Sequence, residues 1–412
     1  MITSEDKKIV QGLAKQYLEI ANDDKIKERI QRIRKTNSLE HVRPIVWMDE
    51  LPWHELNADG SLDIQCTGEI AKEMELFFKR TLFRWKHFQA DMVVDNWYNI
   101  HKSFSFSDIG VNALETTIIK DKANNIISHS YIDVLDTDEK LDALKSPIVT
   151  VDPQLDQSRI ETAEELLDGL IPVKLRGHSI YHAPWDLISR FRGVEAIFID
   201  IMERPEFIHK TIRIFTDFYY SQWKQMESQG LFDSQVLTIH CTPALCNDLP
   251  DCNEKEGSKM KDVWFRGMAQ LFGAVSKQVH EEFDINYMKP IMEQCKIVYY
   301  GCCEPLDDRM DMLMKIPNMR KIGVTPWADV NKSAEQIGKN YVLSHKPNPA
   351  NVAILSNEDV IKSEVTKTIE ACMKHGCPCD IVLKDVSTVS YNVQNLITWN
   401  KVVQETLDKY YS

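Results

Sequence analysis

A regular alternation of strand-like and helix-like stretches, running from about residue 170 to the C-terminus, constrains the fold more than any other feature. Short β-branched or aromatic runs such as Pro172–Leu175, Ile297–Tyr300 and Asp380–Lys384 predict strands, and Asn357–His375 and Asn392–Tyr411 predict helices. Strands that are separated by one helix each predict parallel βαβ units. About seven or eight such strands favour an α/β fold of the (β/α)8 TIM-barrel type over an open sheet.

The first 90 residues predict a helical extension packed on that barrel, and the barrel itself is expected to span residues 91–412. Three amphipathic stretches predict the helices of the extension: Glu5–Asn22, Lys25–Thr36 and Glu69–Phe88. The segment VRPIVWMDELPWHEL is interpreted as a connector, and Asp91–Tyr98 as the first core strand. Thr116–Ile119 and Ile126–Val134 predict a hairpin, Gln235–His240 a strand and Met260–Glu282 a helix.

Composition restricts the partners and the compartment. The net charge is −13 without a basic block, which disfavours a nucleic-acid partner. No apolar run reaches about 18 residues, so no membrane span is expected. The N-terminus MITSEDKKIVQGL lacks the apolar core of a signal peptide, which predicts a cytoplasmic protein. The ten cysteines are therefore expected to be free thiols or metal ligands rather than disulfides.

The segment KIVYYGCCEPL contains the strongest chemical signal. A predicted buried strand ends at Tyr300, and Gly301 is followed at once by Cys302, Cys303 and Glu304. Two thiols and a carboxylate at a strand end predict a soft metal site, most simply zinc, because thiolates are preferred zinc ligands. The alternative is that both cysteines are small buried hydrophobic residues.

Polar residues that follow the other predicted strands would share one rim with this motif, since active sites of such barrels lie at the carboxyl ends of the strands. They are Asp95, Asn96, Arg176, His178, His240, Cys241, Trp327, Asp329, His345, Lys346, Asp385 and Ser387. His240 is a candidate ligand or substrate contact, or a hydrogen-bonded rim histidine. His178 could bind substrate, and Trp327 could stack on an aromatic one.

Two other cysteine groups are weaker candidates. Cys246 and Cys252 follow His240 and Cys241 with irregular spacing, which is not typical of a zinc loop. Cys377 and Cys379 flank Pro378 before a predicted strand, which places them at the opposite end of the barrel from the rim.

The chain resembles the uroporphyrinogen decarboxylase superfamily, and most of all its corrinoid-dependent methyltransferase branch, which includes the methyltransferase I components of O-demethylases. The resemblance covers nearly the whole chain past about residue 40. It rests on RPIVWMDELPW, RFRGVEAIFIDIMERPEFIHK, KIVYYGCCEPL, IPNMRKIGVTPWADV, SHKPNPANVA and CDIVLKDVSTVSYNVQNLITW. It implies a (β/α)8 barrel with a pocket at the C-terminal face.

Zinc enzymes of that superfamily carry a His-x-Cys pair at one strand end and a further cysteine from the last strand. This chain has YGCC at 300–303, without the histidine, and around its last strand Cys379 precedes and Asp385 follows. The resemblance therefore gives the first thiolate role to Cys302 or Cys303. It leaves the remaining ligands open among Glu304, His240, Asp385 and Cys379.

The implied activity is transfer of a methyl group from a small methylated donor, such as a methoxylated aromatic compound, to cob(I)alamin on a separate corrinoid protein. The expected catalytic residues are Glu304, His240 and Asp385, and the expected metal ligands are Cys302, Cys303 and Glu304. The expected substrate contacts are Trp327, His178, Asn96 and Tyr300. Zinc is the expected bound cofactor, cobalamin belongs to the partner, and a homodimer is one state that the chain could adopt.

Two alternatives stay open. The first is a metal-free decarboxylase of a small acid, in which Arg176, Arg190 and Arg192 would hold carboxylates. The second is a non-catalytic barrel that binds the corrinoid protein.

Overall fold

The structure is a computed structural model that describes residues 2–118, 128–252, 256–354 and 356–411. The helices of the first half are α1 (Ser4–Ala21), α2 (Asp24–Asn37), α3 (Trp53–Leu56), α4 (Glu69–His87), α5 (Asp138–Asp142), α6 (Pro153–Leu167), α7 (Pro184–Arg192), α8 (Val194–Glu203) and α9 (Pro205–Ser228). The later helices are α10 (Lys277–His280), α11 (Asn286–Met292), α12 (Met310–Leu313), α13 (Val330–Ile337), α14 (Glu358–His375) and α15 (Gln394–Tyr411). Short 3-10 turns cover Met260–Asp262, Gln270–Ala274 and Pro349–Val352, and a π-helical turn covers Glu281–Ile285.

The strands of the first half are β1 (Ile45–Met48), β2 (Tyr98–His101), β3 (Phe104–Phe106), β4 (Leu114–Ile118), β5 (Ser128–Ile132), β6 (Val149–Val151), β7 (Val173–Arg176) and β8 (Ile180–His182). The later strands are β9 (Thr238–Ile239), β10 (Thr242–Pro243), β11 (Trp264–Gly267), β12 (Ile297–Tyr300), β13 (Met319–Val324), β14 (Val342–His345) and β15 (Cys379–Leu383).

Seven of these strands form one parallel sheet in the order β1-β15-β14-β13-β12-β11-β8. Strands β1, β12, β14 and β15 are buried along their whole length. Burial on both faces is typical of a parallel sheet that is covered by helices, and it explains the apolar runs IVWM, IVYY and CDIVL. Because the strands are parallel, their carboxyl ends lie at one edge of the sheet.

The sheet is TIM-barrel-like, but the hydrogen-bonded ladder does not join β1 to β8 among the described residues. Shorter pieces lie beyond the two edge strands. Asp91 N donates to Val46 O at 2.8 Å, β2 pairs in parallel with β7, and His178 forms a parallel bridge with Phe232. The seven-stranded parallel sheet confirms the α/β class, whereas an eighth laddered strand is not seen in these ranges.

One face of the sheet contains a buried ion pair. Lys321 Nζ lies 2.7 Å from Asp380 Oδ2, and both side chains are almost fully buried. Lys346 Nζ donates to Ser344 Oγ at 2.7 Å, and Ser344 in turn hydrogen-bonds Asp380. A buried charge needs this kind of pairing, because an unpaired one would cost several kcal/mol.

The N-terminal helices share a core with the first strand. Val10, Ala14 and Tyr17 of α1 belong to the same buried cluster as Phe78 of α4 and Trp47 of β1. The predicted helices of this region are confirmed within a residue or two at each end. In the part of the chain that the structure describes, no helix is long and apolar enough to cross a membrane.

Three predictions about elements are wrong. The segment interpreted as a connector contains β1, which pairs with β15, while the first strand after Asp91 begins only at Tyr98. This run of four apolar residues, between Pro44 and Asp49, lies outside the alternation of strands and helices that predicts the later strands. The sheet thus takes a strand from within the range predicted as the helical extension.

The second error is Met260–Glu282, which was predicted as a helix but contains β11. Its charged residue, Arg266, made the run WFRG look amphipathic, yet the side chain is buried and its Cζ lies 4.2 Å from the Tyr299 ring centre. The third is Gln235–His240, of which only Thr238–Ile239 is extended, in an antiparallel pair with Thr242–Pro243. The predicted hairpin is confirmed as β4 and β5, although its residues 119–127 lie outside the described ranges.

Candidate active site

The turn after β12 is held in place by glycine and by a buried carboxylate. Gly301 has φ +99°, a backbone conformation in which any other residue would be strained, so glycine suits this turn. Glu304 accepts hydrogen bonds from Cys302 N at 2.8 Å and from Ala269 N at 3.0 Å. Burial raises the pKa of the Glu304 carboxyl. Glu304 therefore fixes the turn that presents the two thiols.

The thiols contact side chains from distant loops. Cys302 Sγ lies 3.8 Å from His240 Nε2, and Cys303 Sγ lies 3.8 Å from Cys302 Sγ. On its other side Cys303 Sγ lies 3.5 Å from Asp385 Oδ2. The structure thus brings together four of the residues that the sequence singled out, from the loops after β9, β12 and β15.

Glu50 and Lys384 complete the group. Glu50 Oε1 lies 3.8 Å from His240 Nε2, and Lys384 Nζ lies 3.7 Å from Glu50 Oε2 and 2.5 Å from Asp385 Oδ2. We name the whole set the thiol cluster. It consists of Glu50, His240, Cys241, Cys302, Cys303, Lys384 and Asp385.

Three members of the thiol cluster have left-handed backbone conformations. The φ angles are +50° at Glu50, +52° at His240 and +55° at Asp385. This region costs a non-glycine residue about 1 kcal/mol or more, and such residues concentrate at functional sites. Each of the three residues lies one or two positions beyond a strand end.

The charges of the cluster favour one thiolate. The hydrogen bonds from Cys303 and His240 and the positive charges of Arg266 and Lys384 hold the pKa of Cys302 well below its usual range. The same contact and burial raise the pKa of Cys303. Burial opposes a charge on Lys384, but Cys302, Cys241 and Asp385 outweigh it and raise the pKa of the ammonium. The cluster therefore favours the charged form of Cys302, and Cys303 is its hydrogen-bond donor.

A metal ion fits part of this cluster. Glu50, His240 and Cys241 each offer one ligand atom, and these atoms lie within 4.8 Å of one another, the only group of three in the described ranges. Zinc takes these three donor types, with bonds of about 2.0–2.2 Å to nitrogen and oxygen and about 2.3 Å to a thiolate sulfur. The mixed oxygen, nitrogen and sulfur set with three protein ligands is typical of a catalytic rather than a structural site.

The other predicted site residues contact different partners or are exposed. Tyr300 is buried, with its hydroxyl 2.6 Å from His280 Nε2 and 2.6 Å from Asp284 Oδ2. His178 Nε2 bonds Lys102 O at 2.7 Å and lines a separate cavity of about 350 Å³. Trp327 is 68% exposed, and Asn96 is exposed. Cys379 lies at the start of β15, at the other end of the strand that leads to Lys384.

The arginines of the decarboxylase alternative are largely engaged by the chain itself. Arg176 Nε lies 2.6 Å from Asp233 Oδ2, and Arg192 lies 2.8 Å from Asp133 and 2.6 Å from Asp200. Only Arg190 is exposed. This pairing leaves little positive charge there for a substrate carboxylate.

Sequence reasoning missed Glu50, Tyr181 and Asp186 as site residues. The Tyr181 ring in β8 has its centre 5.4 Å from that of His240. Burial, with the charges of Glu304 and Cys302, raises the pKa of Asp186 to about 7. Glu50 follows a strand that was not recognised, whereas no local signal distinguishes Asp186, because its pKa depends on residues more than a hundred positions away.

Comparison with known proteins supports the fold. No family model matches the chain, and no curated protein matches it. Among solved structures the chain is similar to a methyltransferase from Methanosarcina mazei, with a TM-score of 0.52 and 11% sequence identity over 93% of this chain and 99% of that one. At this identity the likeness shows a shared fold, and that fold surrounds the thiol cluster described above.

Proposed function

We propose that the protein is a methyltransferase that moves a methyl group from a small methylated donor, such as a methoxylated aromatic compound, to cob(I)alamin on a separate corrinoid protein in the cytoplasm. The observation that carries this proposal is the convergence of Glu50, His240 and Cys241 beside Cys302, at the carboxyl-terminal edge of a TIM-barrel-like sheet. The shared fold with a methyltransferase supports it. We also propose that the sheet is part of an eight-stranded barrel.

The proposed zinc ligands are Glu50, His240 and Cys241, with Cys302 adjacent to His240. When bound, zinc would act as a Lewis acid on the donor oxygen, while the partner's cob(I)alamin would be the methyl acceptor. This ligand set replaces Glu304, since both carboxylate oxygens of Glu304 accept backbone hydrogen bonds.

Side chains of this protein can neutralise the leaving group of the methyl donor. When the C–O bond of the donor breaks, the electron pair stays on oxygen, and that charge needs a proton or a nearby cation. Lys384 supplies a buried positive charge in the cluster, and Asp186, with a pKa of about 7, can hold a proton at neutral pH. Tyr181, next to His240, offers an aromatic face for the donor.

Metal content tests the site. We expect one zinc per chain, and His240→Ala and Cys241→Ala should each weaken zinc binding by about tenfold to a hundredfold or more. The matched control is Cys295→Ala, a buried cysteine that precedes the opposite end of β12. Equal zinc content in all variants would contradict the ligand set.

Methyl transfer tests the activity. The assay follows the absorbance change as cob(I)alamin becomes methylcobalamin, with methoxybenzenes, methylamines and methanol as donors and a corrinoid protein as acceptor. Turnover with methoxybenzenes alone supports the proposal in full, and turnover with another donor would overturn the donor class only. Tight corrinoid-protein binding without any turnover would favour the non-catalytic barrel.

A further inference from the structure

A second cavity lies beside the loop that follows Glu50. Its volume is about 530 Å³, which is within the range of small-molecule sites. One wall is formed by Pro52, Trp53 and His54 and the facing wall by Arg80 of α4. The remaining lining is mostly apolar and includes Leu51, Leu62, Ile64 and Leu76.

Arg80 has no anionic partner there. Its Cζ lies 4.8 Å from the Trp53 ring centre, which is a cation–π contact. Its Nε is buried without a hydrogen-bond partner, and no ion pair to Arg80 occurs in the described ranges. Burial lowers the pKa of the guanidinium, which stays charged all the same at neutral pH. Arg84, one turn later, donates to Met48 O at 2.9 Å through Nη2, although its Nε has no partner either.

His54 adds a second unpartnered nitrogen to the same cavity. Its Nε2 is buried and has no hydrogen-bond partner. Glu55 Oε1 is 3.9 Å away, but the Glu55 carboxylate already accepts hydrogen bonds from Thr388 Oγ1 and Val389 N, each at 2.6 Å. Leaving such a group unpaired costs about 1–3 kcal/mol, so a ligand in this cavity that reached both nitrogens would relieve two such costs.

The chemistry of the lining defines that partner. A guanidinium binds a carboxylate through parallel N–H bonds, and Trp53 with the leucines suits a flat apolar body. The acidic residue of the cavity, Asp63, accepts a hydrogen bond from Asn57 Nδ2 at 2.7 Å and forms no ion pair with Arg80. We propose that this cavity binds a small aromatic carboxylate, which is held by Arg80 and His54 and packed against Trp53. This site does not depend on the proposed methyltransferase activity.

Benzoate and its neutral isostere benzamide test the proposal by titration calorimetry with the full-length protein. We expect benzoate to bind at least tenfold more tightly than benzamide, and Arg80→Met to remove that preference. Arg159→Met is the matched control. Arg159 of α6 pairs with Glu73 of α4 at 2.8 Å and does not line this cavity. Equal binding of the two probes, no benzoate binding up to its solubility limit, or equal benzoate affinity of both variants would overturn the site.

Two further variants guard against a folding defect. Arg80→Lys keeps the charge but loses the paired N–H bonds, so it should bind benzoate with intermediate affinity. His54→Phe keeps an aromatic ring but removes the ring nitrogens, and it should weaken the binding of benzoate without changing the binding of benzamide. If Arg80→Met unfolds early in thermal denaturation, these two variants decide the question, and unchanged benzoate binding in both would overturn the proposal.

Discussion

His240 Nε2 lies 3.8 Å from Cys302 Sγ, although 62 residues separate the two in the chain. The same nitrogen lies 3.8 Å from Glu50 Oε1 on its other side. The imidazole therefore links the strand end that begins the sheet to the strand end that carries the thiols. A single side chain at this point connects most of the thiol cluster, which makes its surroundings the natural place for experiments.

The neighbouring thiols give the first expectation. Cys303→Ala removes a hydrogen-bond donor to the Cys302 thiolate, so the pKa of Cys302 should rise from its low value. Thiolate absorbance near 240 nm, followed against pH in zinc-free protein, measures this shift. Cys295→Ala serves as the control, and an unchanged titration in Cys303→Ala would show that the two sulfurs do not interact.

The second prediction concerns the proton held by Asp186. With a pKa of about 7, its carboxyl loses the proton as the pH rises through neutrality, so methyl transfer that depends on that proton should decline above about pH 7. Asp186→Asn should lower kcat by about 100-fold or more and remove this decline. The pH profile of kcat for both proteins is the measurement. A variant that keeps the wild-type profile would exclude Asp186 as the proton donor.

The third prediction concerns the buried hydroxyl of Tyr300. Tyr300→Phe leaves Asp284 and His280 without their bond to the hydroxyl in a buried region, which should cost about 1–3 kcal/mol of unfolding free energy. Urea denaturation measures the loss. Because the hydroxyl is engaged by these two residues, KM for the methyl donor should stay unchanged. A raised KM with normal stability would instead support the predicted role of Tyr300 in substrate binding.

The fourth concerns acid stability. Burial and the charge of Lys346 lower the pKa of His345 to about 3, while an unfolded histidine titrates near 6.5. A lowered folded pKa means that the contribution is present above pH 6.5 and is lost as the pH falls towards 3, at up to about 1.4 kcal/mol per pH unit. His345→Leu should flatten this dependence in urea unfolding at about pH 7.5 and 5.5.

The exposed His129, which pairs with Glu115 at 2.9 Å, provides the control for that experiment. His129→Asn should keep the wild-type difference between the two pH values. A His345→Leu protein with the same difference would show that other groups govern the acid sensitivity.

Two strands that the sequence predicts well stand in the alternating part of the chain, next to a clear break. Ile297–Tyr300 ends at Gly301, and the strand that leads to Asp385 follows Pro378. Strand β11 was missed because Arg266 is buried against Tyr299, and local pattern alone does not distinguish a buried arginine from an exposed one. The contact between Arg266 and Tyr299, which forms only in the folded protein, is consistent with a strand in that segment.

The site shows the same division. The contact of Cys303 with Asp385 follows from the rule that parallel strand ends share an edge. The contact of Cys302 with His240 does not, because His240 follows β9, which pairs antiparallel with β10 outside the parallel sheet. The direction of Glu304 does not follow, because its two backbone partners are fixed only by the folded turn. The partners of Tyr300 do not follow from the sequence either, since they come from the π-helical turn within the wrongly assigned helix and from the residue before it.

The left-handed backbone at Glu50, His240 and Asp385 lowers the stability of the protein at the residues that form its candidate active site. Glycine adopts that conformation without strain, so a laboratory search for heat-resistant variants that ignored activity would tend to replace these three side chains. The most heat-stable variants would then be inactive, because their sheet edge would lack these three side chains. Any programme that engineers the protein for durability should hold these three positions constant.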